Sequence, residues 1–267
     1  MPPLFSIITI IYNPGLERIQ KTFESVQNQT VRDSIEYLII DGGSTDGTKN
    51  WIISHTDDID IWVSESDSGI YDAMNKGTRL AHGEWILFLN AGDKLHSSTT
   101  LENIANILNT IHADIIYGDC IQEYPEYNVF DKASPLQRLP FQMIASHQSI
   151  LCKRFLLLEH PFNLQYRVCA DYDFICKIYQ KNYTFYYYEA PISIVEPTGF
   201  SSSFFKKNLL EKRSIVHSYF DSKKITLYLF YTFKIISLPL FTFLKGILPS
   251  NILYNIRKRK YHNVQKK

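Results

Sequence analysis

Apolar positions along this chain recur with two periods that take turns. Leu4 to Tyr12 is apolar and β-branched and stops at Asn13-Pro14-Gly15, which predicts a strand running into a turn. Leu16, Ile19, Phe23 and Val26 follow at spacings of three and four, one face of an amphipathic helix. Tyr37-Leu38-Ile39-Ile40 is then a second buried strand. Strand, helix and strand within about forty residues form a βαβ unit, so the sheet is expected to be parallel with a right-handed crossover. The alternation continues with a strand from Ile59 to Val63 and a helix from Tyr71 to Ala81 that turns Met74 and Leu80 inward. A strand from Trp85 to Leu89 comes next, then a helix marked by Leu101, Ile104, Leu108 and Ile111, then the strand Asp114-Ile115-Ile116-Tyr117. The prediction is an α/β fold with a mostly parallel sheet flanked by helices, without repeats or a low-complexity linker.

At 267 residues and 45% hydrophobic, the chain can bury one large core and a small appendage. The expected division is a catalytic domain over 1–205 and a helical, hydrophobic and basic extension over 206–267. A net charge of +1 argues against a nucleic-acid binder that works by bulk charge. Cys120, Cys152, Cys169 and Cys176 show neither Cys-x-x-Cys spacing nor a His partner at metal-ligand distance, so they read as reduced, buried thiols. Met1-Pro2-Pro3 has no basic n-region and the apolar run after it is too short for a signal peptide; the catalytic part is therefore expected in the cytoplasm.

Three polar stretches punctuate these strands. Ile86-Leu87-Phe88-Leu89 ends abruptly in Asn90-Ala91-Gly92-Asp93, a buried strand delivering polar side chains to its carboxyl end, where open α/β sheets bind ligands. Asp93 offers a hard oxygen to a divalent cation, and Ala91 and Gly92 leave room for a phosphate and a sugar. The plain alternative is a strand stopping at an Asp turn. Asp41-Gly42-Gly43-Ser44-Thr45-Asp46-Gly47-Thr48 leaves the second strand, with Ser44 or Thr45 set to cap a helix carrying Trp51 and Ile52. Asp41 can accept hydrogen bonds from a nucleobase or ribose, or the octapeptide is a capped turn and no more. Neither a Gly-x-Gly-x-x-Gly fingerprint nor a phosphate loop is present. The third stretch, Glu65 to Gly77, is a polar loop entering a helix with Asp72, Asn75 and Lys76 in its first turns. Lys76 can neutralise a diphosphate and Asn75 can bond a sugar hydroxyl, although single Lys and Asn residues are commonly solvated helix surface.

Taken together, Ser6-Ile7-Ile8-Thr9-Ile10-Ile11-Tyr12-Asn13, Asp41 to Thr48 and Leu87 to Asp93 resemble family 2 glycosyltransferases of the GT-A fold. Ser66 to Gly77 and Ala145-Ser146-His147-Gln148 are similar to the colanic-acid-type subgroup of bacterial surface polysaccharide synthesis. The resemblance covers residues 4–200. It implies an inverting transfer from a UDP- or GDP-sugar, with Tyr12 near the base, Asp41 on base or ribose, and Asn75 and Lys76 bordering ribose and diphosphate. Asp72 and Asn90 join this donor-binding set, and His147 is placed near the donor phosphates or the acceptor. Asp93 matches the last position of the family's Asp-x-Asp metal motif, implying Mg²⁺ or Mn²⁺. The chain departs from that motif because the preceding acidic position is not Asp, which leaves most ligands to donor phosphate and water. Transfer with inversion needs a base for the acceptor's proton. In Cys169-Ala170-Asp171-Tyr172-Asp173-Phe174, Asp171 matches the family's base, and Asp173 is its neighbour and competitor at the same helix start. The Gln-x-x-Arg-Trp motif of processive synthases is absent, so one sugar per acceptor is expected. A silent sugar- or nucleotide-binding scaffold is the alternative.

Ile225 to Leu248 is rich in Leu, Ile, Phe and Tyr, contains Lys234, Lys245 and Pro239, and carries no acid. Six basic residues and no acidic one follow between Asn251 and Lys267: Arg257, Lys258, Arg259, Lys260, Lys266 and Lys267. A lysine and a proline inside a barely sufficient apolar run fit amphipathic helices lying on the inner membrane surface better than a span. Packing on the domain, or a homodimer contact, is the other reading. A surface anchor suits an acceptor carried on a polyprenyl diphosphate.

Overall fold

The structure is a computed structural model that describes residues 2–196, 204–247 and 264–266. In chain order the elements are β1 (Phe5–Ile11), α1 (Leu16–Gln27), β2 (Ile35–Asp41), α2 (Thr48–Ile53), β3 (Ile61–Ser64), α3 (Ile70–Leu80) and β4 (Trp85–Phe88). Then come β5 (Lys94–Leu95), α4 (Thr100–Leu108), β6 (Ile115–Glu123), β7 (Tyr127–Asp131), β8 (Ile150–Lys153), α5 (Arg154–Glu159) and α6 (Ala170–Gln180). The last are β9 (Phe185–Val195), α7 (Phe205–Tyr219), α8 (Lys224–Ile247) and β10 (Val264–Lys266).

The described strands join in one sheet in the order β10-β7-β6-β8-β4-β1-β2-β3, with β9 bridging β6 and β5. The predicted βαβ half is there: β3, β2, β1 and β4 are parallel, with Phe5 opposite both Ile35 and Trp85. Beyond β4 the sheet turns mixed. β8 runs antiparallel to both β4 and β6, β7 is antiparallel to β6, and β9 is parallel to β6 with two register shifts between Gly118 and Cys120. The sequence reading stopped the fifth strand at Tyr117; the strand continues because Gly118 sits under the β9 backbone, where a Cβ would lie 2.8 Å from the Ala190 carbonyl oxygen.

Alternate residues of each central strand feed two cores. Ile8, Ile10, Leu38, Ile40, Ile86 and Phe88 face α3, α6, α7 and α8, while Phe5, Ile7, Ile11, Tyr37, Ile39 and Leu87 face α1 and α4. Gly77 of α3 approaches β1 so closely that a Cβ would lie 2.6 Å from Ile8, which draws the helix onto the sheet. The extension is part of the first core through Leu209, Ile215 and Val216 of α7 and Leu227 and Tyr231 of α8. The opposite stripe of α8 stays in solvent: Ile225, Tyr228, Leu229, Phe233 and Ile236 are all exposed. Over 224–247 the extension is one helix instead of the expected pair. Among the described residues no helix is long and apolar enough to cross a membrane. Residues 264–266 of the basic tail add an edge strand to β7; Arg257, Lys258, Arg259, Lys260 and Lys267 lie outside the described residues.

Candidate active site

A cleft of about 450 Å³ opens at the carboxyl ends of β1 and β4. Tyr12, Asn90, Asp93, His147 and Asp171 all line it, although they come from four separate segments. Tyr12, 69% exposed, also borders a wider trough of about 810 Å³ that runs past Gly42, Gly43, Asp67 and Asp72.

At the β4 end the backbone leaves the strand through Asn90-Ala91-Gly92-Asp93, and α1 holds this turn. Thr22, fully buried, donates from Oγ1 to the Asp93 carbonyl at 2.7 Å and accepts the Gly92 N–H at 2.9 Å. Gly92 has φ 99°, and a Cβ there would lie 2.8 Å from Arg18 Nε and 2.9 Å from the Glu196 carboxylate. Asp93 is only 5% exposed. Its Oδ2 accepts from Gln148 Nε2 at 2.7 Å and its Oδ1 from the Glu196 N–H at 3.0 Å. Burial outweighs these donors and pushes its carboxyl up to about 6. Glu196 in turn pairs with Arg18 at 3.0 Å on the cleft wall.

Among the described residues no group of three His, Cys, Asp or Glu side chains forms a ready metal site. The oxygens present nevertheless fit a hard cation that brings most of its own ligands. Asp93 is a carboxylate short of compensating charge, and Asn90 Oδ1 is buried without a hydrogen-bond partner. These two, completed by diphosphate oxygens and water, match what Mg²⁺ or Mn²⁺ accepts.

At the other end Asp171 sits in the first turn of α6. Its Oδ1 is 2.8 Å from the Tyr71 hydroxyl and accepts the Tyr172 N–H at 2.9 Å. His147 Nδ1 is 3.8 Å from its Oδ2, and His147 Nε2 is 3.0 Å from Asn90 Nδ2. Since the Asn90 amide donates, Nε2 accepts and the ring proton belongs on Nδ1, toward Asp171. Burial lowers the His147 pKa, with Asp171 pulling the other way, so the ring is neutral at pH 7. Asp173 is not among the residues that line the cleft. It is 3% exposed, raised by burial, and turned toward Lys177 and Tyr219.

Three expected donor contacts lie behind the cleft walls. Both Asp41 oxygens are taken by the Ser44 N–H, the Ser44 hydroxyl and the Ser64 hydroxyl, and the residue is 1% exposed. Ser44 therefore ties down Asp41 and does not cap α2; α2 starts from Gly47 at φ 94°, with Asp46 Oδ1 accepting the Thr48 N–H. Asn75 uses its amide on the Phe162 backbone, donating to the carbonyl at 2.9 Å and accepting the N–H at 2.9 Å. Lys76 is paired with Glu65. Asp72 lines the trough and accepts the Ser68 N–H. What the sequence reading passed over is Asp67. A Cβ on Gly42 would lie 2.6 Å from Asp67 Oδ2 and 3.5 Å from the Tyr12 ring, so the three share one corner of the trough. The signal was present, since Gly42-Gly43 and Ser66-Asp67-Ser68 end adjacent strands.

The chain is 34% identical over 217 residues to a PGL/p-HBAD biosynthesis glycosyltransferase of Mycobacterium bovis, covering 79% of this chain and 84% of the relative. Glycosyltransferase AglE of Haloferax volcanii is 30% identical over 127 residues, 46% of this chain and 41% of that protein. Among solved structures, S. aureus TarS residues 1–349 in complex with UDP superposes with a TM-score of 0.65 at 17% identity, covering 92% of this chain and 76% of that one. The mannosyltransferase PcManGT of Pyrobaculum calidifontis, with GDP-Man and Mn²⁺, gives 0.62 at 17%, covering 96% and 79%. At these identities the structures share the fold alone, and it is the expected GT-A type. The family model for glycosyl transferase family 2 matches residues 6–191, and the chain belongs to glycosyl transferase family 2 and is a glycosyltransferase.

Proposed function

We propose that the enzyme moves one sugar, with inversion, from a UDP- or GDP-sugar to a saccharide acceptor in surface polysaccharide assembly. The observation that carries this reading is the convergence of Asp171, Tyr71 and His147 on the cleft that Asn90 and Asp93 close from the opposite side. The donor's base lies against Tyr12, and Asp67 Oδ2 accepts its ring N–H, a role open to it because Gly42 has no side chain. Asp93 and Asn90 would hold Mg²⁺ or Mn²⁺. Such a cation supplies charge neutralisation to the departing diphosphate.

Asp171 takes the proton of the acceptor hydroxyl as that oxygen attacks the anomeric carbon. The bond from that carbon to the diphosphate breaks, and its electron pair leaves with the nucleoside diphosphate. Neutral His147 lies beside Asp171 without competing for the proton. A polyprenyl-diphosphate acceptor and attachment to the cytoplasmic face of the membrane are supported by the exposed stripe of α8 and by Lys223 and Lys224 at its start. The narrower colanic-acid-type assignment rests on the Ser66 to Gly77 and Ser146-His147-Gln148 motifs.

Calorimetry with uridine and guanosine diphosphates and their sugars, with and without Mg²⁺ or Mn²⁺, tests the reading. Selective, cation-enhanced binding of one nucleotide series, weakened in Asp67→Ala, is expected. Absence of binding by every nucleotide would refute it and favour the silent scaffold.

A further inference from the structure

One buried carboxylate ties the C-terminal extension to the base. Glu211 lies on the inner face of α7 with Leu209 and Ile215 and is 8% exposed. Its side chain accepts three consecutive backbone N–H groups: Arg167 on Oε1 at 3.0 Å, and Val168 and Cys169 on Oε2 at 2.9 and 3.0 Å. These residues form the loop that turns into α6, ending two positions before Asp171. The Cys169 N–H and the Val168 carbonyl belong to one peptide group. That carbonyl lies 2.9 Å from the Tyr71 hydroxyl, the same hydroxyl that is 2.8 Å from Asp171 Oδ1.

Tyr71 has a single proton and two acceptors for it. A carboxylate bound to the N–H side of a peptide polarises that peptide and strengthens its carbonyl as an acceptor. The Tyr71 proton is thereby drawn toward Val168, and Asp171 is relieved of a donor that would weaken it as a base.

We infer that Glu211 is a positioning residue for the transfer reaction, acting through the Val168–Cys169 peptide to hold the Tyr71 hydroxyl on Val168 and leave Asp171 available to the acceptor's proton. This rests on Asp171 being the base. The charged and titratable groups around the relay are few. Lys207 is 3.9 Å from Glu211 on its own helix, Tyr166 stands beside Glu211, Lys212 of the same helix acts on Cys169 and Cys176, and Asp173 acts on Tyr166 and Cys176. His147 and Tyr71 face Asp171, while Cys169 and Cys176 are thiols that burial keeps protonated.

The test compares Glu211→Gln, Tyr71→Phe and the double variant in full-length enzyme, by pH-resolved kinetics with saturating donor and acceptor. Glu211→Gln is expected to lower kcat about tenfold, keep the donor KM within about twofold, and move the acidic limb of the kcat profile to lower pH. Because the Tyr71 hydroxyl donates to Val168 in the wild type, Tyr71→Phe should leave that limb in place, and Glu211→Gln added to it should produce no shift. Wild-type kcat and pH profile in Glu211→Gln, or an equal shift in the Tyr71→Phe background, would overturn the relay. Should Glu211→Gln fail to fold, Tyr71→Phe decides alone, because an upward move of the limb would mean that the hydroxyl donates to Asp171 in the wild type and would overturn the relay. Turnover retained by Asp171→Asn would sink the assignment of the base itself, independently of Glu211.

Discussion

The two ends of the cleft carry the same functional group in opposite surroundings. Asp93 ends a central strand, is almost wholly buried, and has its carboxyl raised to about 6 because two hydrogen bonds do not replace the water it has lost. Asp171 begins a helix with 22% of its side chain exposed, within reach of a hydroxyl, a backbone N–H and a neutral imidazole. Burial makes the first a carboxylate that gains from a cation. Exposure leaves the second open to a substrate. Environment, not residue type, divides the labour.

The largest effect is expected at the exposed end. Asp171→Asn should reduce kcat on the order of a thousandfold while calorimetry finds donor binding unchanged. Equal losses in kcat and donor affinity would mean that the two ends are not separable. At the buried end Asp93→Asn should lower cation-dependent transfer on the order of a hundredfold and abolish the enhancement of donor binding by Mn²⁺. The same variant sharpens the comparison through stability. The folded-state pKa of about 6 lies above the unfolded value near 4, so the native state holds this proton more tightly. Stability is therefore expected to fall as pH rises from about 4 through about 6, a loss on the order of 2 kcal/mol that Asp93→Asn should lack. Urea titrations of both proteins at pH 4.5 and pH 7.5 measure it, and parallel pH dependences would contradict the burial argument. The smallest effect lies away from both carboxylates. Phe233→Glu on α8 should weaken partitioning onto anionic vesicles about tenfold, with transfer to a soluble acceptor intact; unchanged co-sedimentation would remove this stripe as the anchor.

Most of the parallel half of the sheet was legible because β1, β2 and β4 are buried on both faces and read as apolar runs from Ile7 to Ile11, interrupted only by Thr9, from Tyr37 to Ile40 and from Trp85 to Leu89. Strand ends then place Tyr12, Asn90 and Asp93 without further information. The mixed half was not legible. β9 mixes tyrosines with Glu189 and Pro191 and lies in a partly exposed position, so it shows no period. Asp41, Asn75 and Lys76 carry the right chemistry for a donor. Their partners Ser64, Phe162 and Glu65 decide that they brace the walls, and nothing local announces it.

What the chain by itself determined is the succession of strands and helices in the parallel half, the parallel pairing of its βαβ units, the family, and which acidic residues stand at element ends, since all of these follow from short-range periodicity and turn chemistry. Tertiary structure alone decided that Tyr71 meets Asp171 across 100 positions, that Thr22 grips the Asn90–Asp93 turn across about 70, and that Glu211 reaches back to the loop before Asp171. A hydrogen bond between distant residues leaves no periodic trace in a sequence. It forms only when packing of the two cores has already fixed where each donor and acceptor points.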